Sequence, residues 1–208
     1  PPGGGVVGKL GHPRLGSILP GLNRFDGYEV KTYSHIAGDS TSIPTSLSRA
    51  MSVDSSGGFL IGLEDGMLEY DARSDRFTPV KSLQNIWISQ IVPANQSTVY
   101  LSTNKGLVKY NPLTKAAYFF NSENDAFAKL YINNIERKRN NLFFATNKGL
   151  FRFDLLTEKL YKLDIPLLEN TPVYVVAIDG KDNFWVAAGI TKPLIRFSPD
   201  FSSYTSFN

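Results

Sequence analysis

The residue types that most often carry catalysis or bind metals are sparse in this sequence of 208 residues. The two histidines, His12 and His35, stand far apart and make a poor metal-ligating or acid–base pair, and there is no cysteine. Residues 179–183 (DGKDN) resemble a calcium loop but lack the ligand spacing and the terminal Glu, so we interpret them as a hairpin turn. Glu64 and Asp65 are turn residues without a visible partner for glycoside hydrolysis. We therefore expect no catalytic site, no metal and no cofactor.

A second set of residues is suited to binding rather than to reaction. It combines aromatic rings, which stack on the apolar faces of sugars, with amides and cations. Five members stand where the first strand of a repeat should start, and four stand in turns between second and third strands: Arg49, Trp87, Tyr131, Asn133 and Tyr174, then Asn104, Lys105, Asn147 and Lys148. The cations favour a sulfated or uronic ligand. Two alternatives stay open, since Asn-Lys-Gly is first a turn sequence and Trp87 could pack between repeats.

A recurring hexapeptide supplies the framework for these residues. GLFRFD at Gly149 returns as GLNRFD at Gly21, GMLEYD at Gly66 and GLVKYN at Gly106, with a weaker copy, PLIRFS, at Pro193. Successive aromatic anchors of the five copies are 45, 40, 43 and 44 residues apart, at Phe25, Tyr70, Tyr110, Phe153 and Phe197. This is the period of a four-stranded propeller blade.

The residue pattern within each repeat predicts four short strands. In one repeat they fall at 131–135, 142–146, 150–153 and 159–163, and the matching second strands of other repeats fall at 59–62, 98–102 and 184–187. Only 125–129 and 167–170 could form a helical turn. We expect the glycine of the hexapeptide to close the second hairpin, the aromatic residue to pack between blades, and the Asp or Asn to begin the next turn.

The predicted fold is an all-β propeller with about four to five blades. We divide the chain into an irregular Gly/Pro-rich leader over 1–20 and propeller repeats over 21–208. The repeats are divided into a partial blade at 21–45 and blades at about 46–81, 82–121, 122–165 and 166–208. Pro1 is not a natural start, and we expect the chain to be a fragment of a larger propeller.

Three segments resemble the two-component regulator propeller repeat family: 21–44, 104–114 and 178–186. The resemblance covers roughly 21–208, although the family's usual Trp-Ile-Gly-Thr strand reads LIGL at 60–63. It implies a periplasmic, non-catalytic sensor region of a hybrid two-component histidine kinase, which detects oligosaccharides. It also implies self-association as a homodimer. The kinase and the membrane anchor would lie in parts of the parent protein outside this chain.

Composition excludes two other classes of protein. The net charge is only +3 and the basic residues are scattered, so we expect no nucleic-acid partner. No window of about 18 apolar residues is present, so no segment is expected to span a membrane. Two alternatives to the sensor remain: a propeller scaffold for protein–protein interaction or dimerisation, and a propeller lyase or hydrolase.

Overall fold

The computed structural model describes residues 6–7, 14–18, 21–39, 42–44, 48–53, 58–120, 127, 130–169, 171–189 and 192–207. The chain divides into two compact units, Pro1–Tyr118 and Phe119–Asn208. His12 and most of the predicted helical turn at 125–129 lie outside the described residues.

The described strands form five four-stranded antiparallel sheets, each with its strands in chain order. The first sheet contains β1 (Val6–Val7), β2 (Arg14–Ile18), β3 (Gly21–Phe25) and β4 (Val30–Tyr33). The second contains β5 (Ser48–Val53), β6 (Phe59–Leu63), β7 (Gly66–Asp71) and β8 (Arg76–Pro79). The third contains β9 (Ile88–Asn95), β10 (Thr98–Thr103), β11 (Gly106–Tyr110) and β12 (Ala117–Phe119). The fourth contains β13 (Ile132–Lys138), β14 (Asn141–Thr146), β15 (Gly149–Asp154) and β16 (Lys159–Lys162). The fifth contains β17 (Val173–Ile178), β18 (Phe184–Ala188), β19 (Lys192–Phe197) and β20 (Tyr204–Phe207).

The only helical elements in the described part of the chain are two single 3-10 turns, Lys81–Leu83 and Pro166–Leu168. Each sheet has the strand number and strand order of a propeller blade. The predicted all-β propeller fold is therefore confirmed, and the sheets are called blades from here on.

The first blade takes two strands from the segment that the sequence predicts to be irregular. β2 pairs with β3 along its whole length, from Arg14 opposite Phe25 to Ile18 opposite Gly21, and β1 pairs with β2. Backbone pairing of this kind does not depend on a strong apolar pattern. The Gly- and Pro-rich sequence of 1–20 has no such pattern, so it did not predict these two strands.

The hexapeptide forms the third strand of each blade, as its position in the repeat predicts. Gly149, which starts β15, has φ 110°, a conformation that side-chain-bearing residues rarely adopt. The aromatic position is fully buried in four of the five copies: Tyr70, Tyr110, Phe153 and Phe197. Phe25, the fifth member, is 42% exposed. The hexapeptide is thus an architectural unit that combines a turn with a buried aromatic ring.

The last residue of the hexapeptide starts the turn into the outer strand. The Asp154 Oδ1 atom accepts hydrogen bonds from the backbone N–H groups of Leu156 and Thr157, both at 2.9 Å. The Asn111 Oδ1 atom makes the same bonds with Leu113 at 2.9 Å and Thr114 at 3.1 Å. Backbone hydrogen bonds from Thr157 and Leu156 also lower the pKa of Asp154. The side chain therefore stabilises the turn in both copies.

Apolar residues from neighbouring blades form the core of each unit. In the first unit, Leu22 of β3 packs with residues of β6 and β7, including Ile61 and Tyr70. In the second unit, Phe143 of β14 packs against Phe184 of β18, with ring centroids 4.7 Å apart. Blade-to-blade packing, rather than packing within a single sheet, thus buries the apolar side chains.

We expect Gly149→Ala to lower the free energy of unfolding by about 2 kcal/mol. An added Cβ would be held at φ 110° and would lie 3.3 Å from the Leu168 carbonyl oxygen. The matched control is Gly180→Ala, because an added Cβ at Gly180 meets nothing within 4 Å. Its effect should stay within about 0.5 kcal/mol. Denaturant unfolding measures both changes, and equal losses in the two variants would contradict the conformational requirement.

Candidate functional site

Strand-one starts and second hairpin turns lie side by side within a blade, as the sequence predicts. In the third blade, Trp87 N donates to Asn104 Oδ1 at 3.2 Å, and Asn104 N donates to Trp87 O at 3.1 Å. In the fourth blade, Tyr131 N donates to Asn147 Oδ1 at 2.9 Å, and Asn147 N donates to Tyr131 O at 3.1 Å. The two asparagines therefore fix the aromatic residue beside the turn, which is the structural role that the Asn-Lys-Gly turn sequence left open beside ligand contact.

The two turn lysines are held by their backbones while their side chains remain exposed. Lys105 N donates to Thr103 Oγ1 at 3.0 Å, and Lys148 N donates to Thr146 Oγ1 at 3.1 Å. Both ammonium groups belong to exposed residues at the tip of a hairpin. This placement leaves them accessible to a ligand in solution.

In the first unit, Arg49 and Trp87 contact one another. The guanidinium carbon lies 5.6 Å from the centroid of the Trp87 ring, a cation–π arrangement. Arg49 Nε also donates to Glu64 Oε1 at 3.0 Å. Trp87 is 39% exposed, so the ring is not buried between blades and presents a surface flanked by a paired cation.

In the second unit, the predicted residues divide into two groups. Tyr131 and Tyr174 are exposed aromatic residues, at 56% and 48%. Asn133, by contrast, donates from Nδ2 to the Val173 carbonyl oxygen at 2.7 Å and so joins β13 to β17. The neighbouring Asn134 Oδ1 accepts from Val176 N at 2.9 Å. The amide of Asn133 is thus engaged in blade docking.

The residues predicted to bind a ligand are divided between the two compact units. The first unit contains Arg49, Trp87, Asn104 and Lys105, and the second contains Tyr131, Asn133, Asn147, Lys148 and Tyr174. Within each unit the structure places an exposed aromatic ring beside an Asn-Lys turn. Their joint role in binding one ligand stays a prediction.

A charged cluster between the first and second blades was missed by sequence reasoning. We call it the Asp75 cluster: the Asp75 carboxylate with Arg24, Lys31, Tyr33 and Tyr70. Asp75 accepts hydrogen bonds from Tyr33 Oη, from Tyr70 Oη at 2.7 Å, from Lys31 Nζ at 2.5 Å and from Arg24 Nη1 at 3.1 Å. A cluster of this kind ties two blades together through one carboxylate.

The pKa values of Asp75 and Tyr33 are shifted strongly in this cluster. Burial alone would raise the pKa of Asp75, but hydrogen bonds from Lys31, Tyr33 and Tyr70 outweigh it and hold the pKa well below its usual range. Burial, together with the hydrogen bond to Asp75, raises the pKa of Tyr33. Asp75 is therefore held ionised and Tyr33 protonated, which is the state that the hydrogen bonds require.

A related cluster joins the second and third blades with the charges reversed. We call it the Glu69 cluster: Tyr110 Oη donates to Glu69 Oε1 at 2.8 Å, and Lys115 Nζ donates to Oε2 at 2.5 Å. Arg24 and Glu69 are each the fourth residue of a hexapeptide. Their partners, Asp75 and Lys115, each stand four residues after the end of the hexapeptide in the next blade. Opposite charges at these two offsets are the sequence signal that could have revealed the clusters.

The residues considered for chemistry have structural partners. Asp179 Oδ2 accepts from Asn183 Nδ2 and Trp185 Nε1, both at 3.0 Å, and these two hydrogen bonds hold the pKa of Asp179 well below its usual range. His35 Nδ1 lies 3.0 Å from the Ile43 carbonyl oxygen. In the described ranges, no group of three or more His, Cys, Asp and Glu side chains could hold a metal ion. No helix in the same ranges is long and apolar enough to cross a membrane.

Solved structures share this fold over nearly the whole chain. The extracellular domain of BT3049, assigned to a hybrid two-component system of B. thetaiotaomicron, matches with 16% identity and a TM-score of 0.74 and covers 98% of this chain and 28% of that one. PorZ, a surface component of the type-IX secretion system of Porphyromonas gingivalis, matches with 17% identity and a TM-score of 0.71, over 98% of this chain and 33% of that one. Virginiamycin B lyase from Staphylococcus aureus matches with 10% identity and a TM-score of 0.68, over 99% and 69%.

At these identities the likeness shows the fold alone. The chain spans about a third or less of the length of the BT3049 domain and of PorZ. No family model matches the chain, and no curated protein matches its sequence.

Proposed function

We propose that this chain is a non-catalytic, ligand-sensing propeller segment of a periplasmic hybrid two-component sensor, and that it detects an oligosaccharide. The exposed Trp87 ring beside Arg49 is the observation that carries the ligand part of the proposal, because an accessible ring next to polar groups suits a sugar face and its hydroxyls. The likeness in fold to extracellular domains of hybrid two-component systems supports the sensor part.

Signalling in such a sensor is a shift between two arrangements of the molecule. A ligand that binds one arrangement of a homodimer more tightly than another would favour that arrangement. A kinase in another part of the parent protein would respond to it. Lys105 and Lys148 would favour sulfated or uronic members of the ligand class.

A thermal-shift screen of the chain against neutral, sulfated and uronic oligosaccharides tests the proposal. At a concentration of about 100 times Kd, binding should add about 2.7 kcal/mol and raise Tm by roughly 5–10 °C. A cooperative transition that no oligosaccharide shifts would contradict the sensor and favour the scaffold. Release of shorter products during incubation would favour the lyase or hydrolase.

We expect the double substitution Trp87→Ala with Lys105→Ala to weaken binding of the responding oligosaccharide by at least about 30-fold. It removes both the exposed ring and the exposed cation that follows Asn104 in the adjacent turn. Tyr204→Ala with Lys159→Ala is the matched control, since it also removes one exposed aromatic ring and one exposed lysine. Isothermal titration measures both affinities. Unchanged affinity in the first double variant would remove these residues from the site.

A further inference from the structure

The fourth position of the hexapeptide has an opposite charge as its partner in both clusters of the first unit. Arg24 Nη1 lies 3.1 Å from Asp75 Oδ1, and Glu69 Oε2 lies 2.5 Å from Lys115 Nζ. Both partners occupy a turn residue with positive φ, 54° at Asp75 and 63° at Lys115. In each case the next blade thus supplies the counter-charge from one place in its outer turn.

In the fifth blade the positive-φ residue of the outer turn is uncharged and stands three residues after the hexapeptide copy, and the one carboxylate of that turn, Asp200, accepts from Ser198 and Ser202. The fourth hexapeptide residue is Arg152, and the positive-φ turn residue of the next blade is Phe201, at φ 60°. The guanidinium carbon of Arg152 lies 4.9 Å from the centroid of the Tyr161 ring. Its buried Nε atom, like that of Arg24, makes no hydrogen bond with the described residues, so the two arginines differ in the partner of the guanidinium end. Arg152 therefore occupies the position of Arg24 without the carboxylate that Arg24 contacts.

A cavity of about 340 Å³ opens beside Arg152, between the fourth and fifth blades. Lys138, Arg139 and Asn141 line it together with Arg152, and the Asn141 Oδ1 atom is buried without a hydrogen bond among the described residues. Apolar residues complete the lining: Phe143, Leu163, Phe184, Pro199 and Phe201. The volume falls within the range of small-molecule sites.

The charge of the cavity is unbalanced. Lys138 pairs with Asp182 at 3.1 Å, whereas Arg139 and Arg152 have no carboxylate partner within the described ranges. Glu136 stands opposite Phe143 in the β13–β14 register but does not line the cavity, and burial raises the pKa of its carboxyl group. Two guanidinium groups in a partly enclosed site favour an anion.

We propose that this cavity binds a carboxylate-bearing sugar, whose carboxylate contacts Arg152 as the Asp75 carboxylate contacts Arg24. Phe201, whose ring is half-buried whereas Phe143 and Phe184 are buried, would stack against the apolar face of the sugar, and Asn141 Oδ1 would accept from a hydroxyl. Only the sugar part of this proposal rests on the function proposed above. Because Arg139 and Asn141 flank the β13–β14 turn, the cavity lies at the opposite end of β13 from Tyr131 and is a separate site.

Isothermal titration of the full chain with D-glucuronic acid and D-glucose tests the proposal. We expect glucuronate to bind and glucose to bind at least about tenfold more weakly. Arg152→Met should weaken glucuronate binding by at least about tenfold, and Arg152→Lys should weaken it less. Lys159→Met, which removes an exposed cation from the same blade outside the cavity, should leave the affinity unchanged. The Tm of Arg152→Met should equal or exceed that of the wild type, because the change removes a partly buried charge without a counter-ion.

Each contrary outcome has a definite meaning. Absence of glucuronate binding, or equal affinity in wild type and Arg152→Met, overturns the cavity proposal. Inorganic sulfate that binds as tightly as glucuronate overturns its sugar part. An oligosaccharide response that depends on Trp87 and Lys105 but not on Arg152 leaves the sensor standing and overturns this site. Arg152-dependent glucuronate binding without any oligosaccharide response supports the site and contradicts the oligosaccharide sensor.

Discussion

Phe153→Ala is expected to lower the free energy of unfolding by about 4 kcal/mol. Phe153 is fully buried, and its ring centroid lies 5.4 Å from that of Phe120 and 5.9 Å from those of Phe127 and Phe144. Removal of the ring would leave a cavity among three other rings that are held by their own strands and turns. The loss would thus combine the lost burial of the phenyl group with an unfilled volume.

Phe25→Ala is the matched control for this prediction. Phe25 occupies the same hexapeptide position but is 42% exposed, so truncation should cost less than about 1 kcal/mol. Guanidinium unfolding followed by far-UV circular dichroism measures both values. A loss of similar size in the two variants would mean that local strand propensity, and not packing between blades, explains why the aromatic position recurs.

Asp75→Ala is expected to lower the free energy of unfolding by about 2–3 kcal/mol. Loss of one member of a fully buried ion pair costs about 3–5 kcal/mol, and the value here is smaller because the Asp75 side chain is 29% exposed. The substitution would leave Arg24, Lys31 and the Tyr33 hydroxyl without their common acceptor. Asp65→Ala, an exposed aspartate in the same blade, should change stability by less than about 0.5 kcal/mol.

The same carboxylate should contribute to acid sensitivity. The pKa of Asp75 in the folded chain lies below its ordinary value of 3.8, so the ionised form stabilises the fold. This contribution is fully present above that ordinary value and is lost as the pH falls towards the lowered pKa. The acid limb of a plot of unfolding free energy against pH should therefore be shallower for Asp75→Asn than for wild type. Parallel limbs would show that Asp75 does not couple stability to pH.

The repeat and its strands could be predicted from the sequence because both rest on local patterns. The apolar run at 142–146 and the hexapeptide at Gly149 lie in β14 and β15 as expected. β1 and β2 were not predicted, since a strand that pairs along its backbone need not show an apolar pattern. Strands with a characteristic sequence pattern of their own were therefore predicted, and strands without one were not.

The side-chain clusters between blades were harder to predict, because they depend on how one repeat faces the next. Asn133 was predicted as a ligand contact, yet its amide donates to Val173 of the following blade. No role was predicted for Asp75, although its carboxylate accepts hydrogen bonds from four side chains. The register between repeats is a tertiary property, and a single copy of the repeat does not contain it.

The reversed charges of the Asp75 and Glu69 clusters restrict the order in which blades can stack. The first blade presents Arg24 to Asp75 of the second, and the second presents Glu69 to Lys115 of the third. If the third blade were docked on the first, Lys115 would face Arg24. If two copies of the second blade were docked on each other, Asp75 of one would face Glu69 of the other. Like charges at such close range are unfavourable, so stacking of blades in the wrong order, one form of misassembly in repeat proteins, is disfavoured.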